Sequence, residues 1–145
     1  MGLRRIAREC ALQMLYELDI GRISRDEILR TFWLMNEHPP KVREFANQLF
    51  VGTIGQLKEI DRVIQQHTKH WRLNRMAAVD RNVIRLAVYE FLSGGKTPET
   101  VVINEALDIA RKFSTQESAQ FVNGILDSIK NEFMDKRRKS NGKPD

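Results

Sequence analysis

Apolar residues recur three and four positions apart along almost the whole chain, from Leu3 to Phe133. This spacing places them on one face of a helix, whereas a half-buried strand would alternate apolar and polar residues. The periodic segments end at turn residues such as Gly21, the "HPP" of residues 38–40 and the "SGG" of residues 93–95. The pattern therefore predicts an all-α fold of about seven helices, joined by short links and packed as a bundle.

The length of the chain and a break near residues 70–75 indicate how these helices are divided. A chain of 145 residues has the size of one domain with a substantial core. The break, "HWRLNR", predicts two helical halves, about 1–72 and 73–135, within that single domain. Residues 136–145 are basic and lack apolar periodicity, so we expect them to form a disordered tail.

The composition excludes several classes of protein. Hydrophobic residues make up 41% of the chain and charged residues 30%, which is typical of globular domains in solution. No apolar run approaches the ~20 residues that span a bilayer, and Glu9 and Gln13 interrupt the region where a secretory signal would be apolar. With a single cysteine, these features predict a cytoplasmic protein with no membrane partner. The net charge of +5 favours a polyanionic partner such as RNA.

Motifs for catalysis, cofactors and metals are incomplete. The Gly-Lys-Thr of residues 95–97 lacks the upstream glycine of a phosphate-binding loop, because Glu90 stands there, and it follows a predicted helix. His67 and His70 are spaced for one helix face, but no further ligand completes a metal site. Cys10 lies within an apolar stripe, which is typical of a core residue. We therefore expect no enzyme activity, no cofactor and no metal.

The first predicted helix is unusual because arginines occupy its N-terminal turns. A helix N-terminus carries a partial positive charge, so cations there are unfavourable by roughly 0.3–1 kcal/mol each at exposed sites. Arg4, Arg5 and Arg8 are predicted to project away from the apolar stripe, with Leu12 and Tyr16 continuing that side. Guanidinium groups and an aromatic ring on one face suit single-stranded RNA. The alternative is a solvated helix face with Tyr16 half-buried, and the placement of the arginines favours a ligand.

Four segments together carry a resemblance to a known family. In their order and spacing they closely resemble the NusB family of bacterial transcription antitermination factors, and the resemblance covers nearly the whole chain, from about Arg4 to Phe133. The segments are "RRIARECALQMLYELD" at residues 4–19, "DRNVIRLAVYE" at residues 80–90, "VVINEALDIARKF" at residues 101–113 and "SAQFVNGILDSI" at residues 118–129.

The resemblance implies a fold and a function. The implied fold is an all-α NusB-like bundle of two three-helix halves plus the arginine-rich N-terminal helix. The implied function is non-catalytic: NusB-like proteins bind single-stranded boxA RNA of ribosomal RNA operon transcripts. They do so together with NusE, a protein of the small ribosomal subunit. The complex joins NusA and NusG on RNA polymerase and suppresses termination.

The resemblance also implies particular site residues. The first helix contacts RNA in the family, which implies Arg4, Arg5 and Arg8, with Tyr16 on the adjoining surface. The turn into the last helix also faces RNA, and the positions implied there are Phe113, Ser114, Gln116, Glu117 and Phe121. Asp80 matches an acidic position near the surface that faces the protein partner.

Other interpretations differ in the partner. The basic first helix could serve a non-catalytic protein–protein module that binds an acidic partner instead of RNA. The same face could bind a second copy of the chain, as a homodimer. NusB-like domains also occur in ribosomal RNA cytosine-5 methyltransferases, but those need a catalytic cysteine in a long further domain, and this sequence has only Cys10.

Overall fold

The computed structural model describes residues 2–94 and 96–141, and the regular secondary structure within them is all helical. Seven α-helices are present, which confirms the predicted fold class, and the fourth and fifth are linked through a short 3-10 helix, Leu73–Arg75. Over these residues no helix combines the length and hydropathy needed to cross a bilayer. The helices are α1 (Leu3–Gly21), α2 (Arg25–Met35), α3 (Pro40–Gly55), α4 (Leu57–Gln66), α5 (Ala78–Leu92), α6 (Glu99–Phe113) and α7 (Gln116–Asn141).

Local sequence signals explain where these helices begin and end. The side chain of Ser24 caps α2 by accepting a hydrogen bond from the backbone N–H of Glu27 at 3.2 Å. Pro40 is the first residue of α3, where its missing N–H is harmless. A glycine also ends α3, since α3 stops at Gly55 and α4 begins at Leu57.

The helices enclose two hydrophobic cores. The first core is formed by α1, α2 and α3, and the second by α4, α5, α6 and α7. Two leucines cross between them: Leu12 of α1 packs in the second core, and Leu86 of α5 packs in the first. Helices α1 and α5 therefore join the two cores into one body.

The position of α4 differs from the division expected from the sequence. Its buried residues Ile60, Val63 and Ile64 belong to the second core, with the helices that follow them. The boundary between the two cores thus lies between α3 and α4, and not near residue 72, where the expected halves 1–72 and 73–135 would meet. The physical reason is that the nonperiodic stretch after α4 is a loop between two helices of the same core. The chain passes from the first core to the second at the short connection between α3 and α4.

The contact between α3 and α5 depends on one glycine. The ring of Tyr89 lies so close to Gly52 that a Cβ atom at that position would overlap the ring. Glycine is unfavourable in a helix interior by about 1 kcal/mol relative to alanine. Its presence in α3 is explained by this close approach.

The last helix is longer than the sequence pattern indicated. Helix α7 continues to Asn141, so the first part of the tail expected at 136–145 is helical and not disordered. Arg137 forms an ion pair with Glu99 at the start of α6, which ties this extension to the rest of the bundle. Residues 142–145 lie outside the described part of the chain.

Candidate RNA interface

Arg8 is buried, and its predicted projection into solvent is wrong. Only 4% of its side chain is exposed, and its Nε and Nη2 atoms bind the two carboxylate oxygens of Glu90 at 3.0 and 2.9 Å. Its Nη1 atom lies 3.3 Å from Glu105. Helices α5 and α6 pack against the side of α1 that was expected to face solvent, and they supply these carboxylates. Leu12, assigned to the same exposed side, lies in the second core.

Arg5 is half-buried and connects α1 to the start of α7 through a chain of hydrogen bonds. It binds Glu105 and also Asp108 of α6, the latter at 2.7 Å. Asp108 accepts a hydrogen bond from Arg111 at 3.1 Å, and Arg111 donates another to Gln116 at 3.1 Å. The structure therefore brings Arg5 and Gln116, two predicted RNA-binding residues, onto one continuous polar surface.

Arg4 differs from the other two arginines because no carboxylate of the described residues pairs with it. Its side chain is exposed, and its guanidinium lies over the ring of Phe45 at 5.0 Å from the ring centre. The ion pairs of the fold thus explain why Arg5 and Arg8 occupy the N-terminal turns of α1. They leave Arg4 unexplained.

Tyr16 and Phe113 come together in a groove between α1 and α6. Tyr16 is 38% exposed and Phe113 36%, and the groove has a volume of about 410 Å³. The ammonium of Lys112 lies 5.5 Å from the centre of the Phe113 ring, at the edge of this groove. We call it the aromatic groove, and its lining residues are Leu12, Gln13, Tyr16, Glu17, Val79 and Phe113.

Of the other predicted RNA-binding residues near the start of α7, Ser114 and Glu117 lie at the junction with α6, whereas Phe121 packs against a loop. The hydroxyl of Ser114 donates to that of Ser118 at 2.8 Å, and Glu117 is exposed. Phe121 is half-buried and packs edge-on against Trp71, with ring centres 6.4 Å apart. Phe121 therefore faces the loop before α5 and does not line the aromatic groove.

Asp80 offers little surface to a partner. It is 7% exposed, and its Oδ1 atom is buried without a hydrogen-bond partner among the described residues. It lies in the first turn of α5, where the helix dipole favours a negative charge. Its neighbour Val79 lines the aromatic groove, but Asp80 itself is not among the lining residues.

A second ionic cluster fixes the other end of α1. Asp19 accepts hydrogen bonds from Arg81 at 2.6 and 2.9 Å and from Asn82 at 3.0 Å, and Arg85 lies 3.3 Å away. Desolvation alone would raise the pKa of Asp19, but these hydrogen bonds and the positive charges of the arginines outweigh it and lower the pKa. Helices α1 and α5 are thus joined by charged side chains at both ends of α1.

The comparison with protein families decides which family the chain represents. The NusB family model matches residues 5–131. The chain belongs to the NusB family. Transcription antitermination protein NusB of Koribacter versatilis is 50% identical over 139 residues, covering 95% of each chain. The NusB protein of Desulfatibacillum aliphaticivorans is 49% identical over 130 residues, covering 89% of this chain and 90% of the relative.

Solved structures agree with this assignment. The structure of T. maritima NusB superposes with a TM-score of 0.80 at 34% identity, and the match covers 91% of this chain and 92% of that one. A chain in the crystal structure of antitermination factors NusB and NusE in complex with dsRNA superposes with a TM-score of 0.80. That chain is 27% identical, and the match covers 89% of this chain and 96% of that one. The predicted family and fold are therefore confirmed.

This NusB family member is a transcription antitermination factor and not an enzyme. Cys10 and His67, the residues considered for chemistry, have structural roles. Burial, reinforced by the charge of Glu9, raises the pKa of the Cys10 thiol to about 11. The ring of His67 joins the end of α4 to α7, with its nitrogens 2.7 Å from Ser128 Oγ and 2.6 Å from Glu132. The described residues contain no group of three or more side chains arranged to hold a metal.

Three surface residues next to the predicted site were missed from the sequence. Arg111 and Lys112 occupy the last turn of α6, and Trp71 is 56% exposed beside Phe121. Basic residues in the last turn are also what the helix dipole favours, so their position alone does not indicate RNA. Trp71 lies in a loop without apolar periodicity, so the sequence does not indicate whether its side chain is exposed.

Proposed function

We propose that this NusB family member binds boxA-type single-stranded RNA of ribosomal RNA operon transcripts together with NusE. The complex then acts with NusA and NusG on RNA polymerase in the cytoplasm, where it suppresses termination. The similar chain found with NusE and double-stranded RNA supports an RNA surface shared with that partner. The family resemblance of the sequence supports boxA as the RNA element.

The aromatic groove is the observation that carries the proposal. Tyr16 and Phe113 present exposed rings from two helices, and Lys112 adds a cation at the edge. Base–aromatic stacking contributes about 1–3 kcal/mol per base and accepts unpaired bases, which single strands supply. Rigid helices hold both rings in place before the RNA arrives, so little ordering is needed on binding.

The nearby ion pairs limit what this chain does alone. Arg5 and Arg111 both bind Asp108, and Lys112 lies 2.6 Å from Glu9, so phosphates must compete with carboxylates for these cations. We therefore expect modest RNA affinity for the isolated chain and higher affinity with NusE. Arg8 acts indirectly, because its buried ion pair holds α1 against α5 and α6.

The experiment compares binding of a boxA oligonucleotide to the native chain and to variants, each with and without NusE. Tyr16→Ala and Phe113→Ala should each weaken binding about tenfold or more, in line with the loss of one stacked base. Leu34→Ala is the matched control, because Leu34 is 78% exposed on α2, away from the groove. Native affinity in both groove variants would contradict the proposal.

RNA crosslinking separates this function from a purely protein-binding module. Crosslinks from boxA RNA should map to α1 and to the junction of α6 and α7. If NusE binds normally while no RNA crosslink forms in these helices, the groove serves a protein partner instead.

A further inference from the structure

A second concave site lies at the N-terminal end of α1, outside the aromatic groove. It is a cavity of about 210 Å³ between the start of α1, the middle of α3, the end of α5 and the loop before α6. Its walls include Arg4, Phe45, Tyr89 and Lys96, and we call it the N-terminal cavity. Its volume is below the roughly 300–1,000 Å³ typical of sites for drug-sized ligands, so it suits one small group.

The charges of the N-terminal cavity favour an anion. Among the residues that the structure describes, no carboxylate pairs with Arg4 or Lys96, and both are exposed. Glu90 also lines the cavity, but Arg8 holds both of its carboxylate oxygens. Helix α1 adds to this positive field, because its first turn has no acidic residue and Gly2 provides no side-chain cap.

The remaining groups favour a nucleotide over a simple anion. The guanidinium of Arg4 lies over the Phe45 ring, 5.0 Å from the ring centre, and its side chain is exposed, so it is accessible to a base. Unpaired RNA bases stack on arginine planes as well as on aromatic rings. Gln48 and Thr97 line the same cavity, and the described residues show no hydrogen bond to either side chain. They can therefore bind the polar edge of a base.

We propose that the N-terminal cavity binds one nucleotide of the RNA strand, outside the segment held in the aromatic groove. The base stacks on the Arg4 guanidinium, and its phosphate contacts Lys96. Arg4 and Tyr16 are about 18 Å apart along α1, at 1.5 Å per residue, so the two sites bind different parts of the strand. This inference rests on the proposed function, because it extends the RNA contact to the α5–α6 loop.

The test uses the full chain with NusE and a boxA oligonucleotide carrying flanking nucleotides on both sides. Lys96→Ala should weaken binding about threefold and make the dependence of log affinity on log salt shallower by about 0.7, the value for one phosphate of a single strand. Lys58→Ala is the matched control, because Lys58 is an exposed lysine on α4 that does not line the cavity. It should leave both quantities unchanged.

A second variant tests stacking independently of charge. Arg4→Lys keeps the positive charge but removes the plane, so affinity should fall while the salt dependence stays native. Native affinity for both Lys96→Ala and Arg4→Lys would overturn the inference. If Tyr16→Ala still loses binding in that case, the proposed function stands without the cavity. If the native chain with NusE binds no RNA, both proposals fail. If Phe45 forms a crosslink to a partner protein and none to the RNA, the inference is also overturned.

Discussion

At the scale of single residues, the three arginines of α1 show how surroundings decide what one side-chain type does. Arg8 neutralises a buried carboxylate, Arg5 links α1 to α6, and Arg4 lies over Phe45 without an acidic partner. The helical spacing of the sequence placed all three on one polar side. It could not show that Glu90, 82 positions later, would meet Arg8 inside the protein. The partners of polar groups depend on packing that local patterns do not contain.

The Arg8–Glu90 pair gives a prediction about stability. Removing one member of a buried ion pair leaves an uncompensated charge, which typically costs about 3–5 kcal/mol. Arg8→Ala should therefore lower the free energy of unfolding by about that amount in urea titrations. Arg4→Ala, at an exposed position of the same helix, should change it by no more than about 0.5 kcal/mol.

A double variant separates the ion pair from simple loss of packing. Arg8→Ala combined with Glu90→Ala should be less destabilised than the sum of the two single variants, because neither charge is then left alone. Additive single effects would show that the two charges do not stabilise each other.

At the scale of helices, the sequence predicted most elements well because their signals are local. Apolar periodicity predicted about seven helices and seven are present, and two of them begin at local signals, the Ser24 cap and Pro40. The extension of α7 was missed, because a basic helix without an apolar face depends on contacts such as that between Arg137 and Glu99. The grouping of α4 with the second core was also missed, since it is a property of packing between helices.

The cluster around Asp19 gives a prediction about pH for the contact between α1 and α5. The folded-state pKa of Asp19 is lowered, so its contribution to stability is present above the unfolded pKa of about 3.9 and is lost as the pH falls through the folded value. Asp19→Asn should lower the free energy of unfolding near neutral pH by about 1.5–3 kcal/mol, the range for hydrogen bonds to charged groups. The difference between native and variant should shrink below about pH 4.

The measurement is urea unfolding across a pH series. Asp26→Asn is a suitable control, because Asp26 has 83% of its side chain exposed at the start of α2 and its ion pair with Arg25 is at the surface. A difference between native and Asp19→Asn that stays constant down to strongly acidic pH would contradict the assigned role.

At the scale of the whole molecule, the candidate site depends on the union of the two cores. The aromatic groove combines a ring of α1, which packs mainly in the first core, with a ring of α6, which packs in the second. Leu12 and Leu86 cross between the cores, and ion pairs join α1 to α5 at both ends. The sequence alone identified Tyr16 and Phe113 through family resemblance, but their meeting in one groove follows from this union.

Because α1 and α5 belong to both cores, we expect the protein to unfold in one cooperative transition. The two tryptophans report on different parts: Trp33 is buried in the first core, and Trp71 lies against Phe121 beside the second. In Trp71→Phe, the fluorescence of Trp33 should change at the same urea concentration as the helical circular dichroism of the whole chain. In Trp33→Phe, the fluorescence of Trp71 should do the same, since coincident probes are the mark of two-state unfolding. Separate midpoints within either variant would contradict this expectation and would mean that the two cores unfold independently.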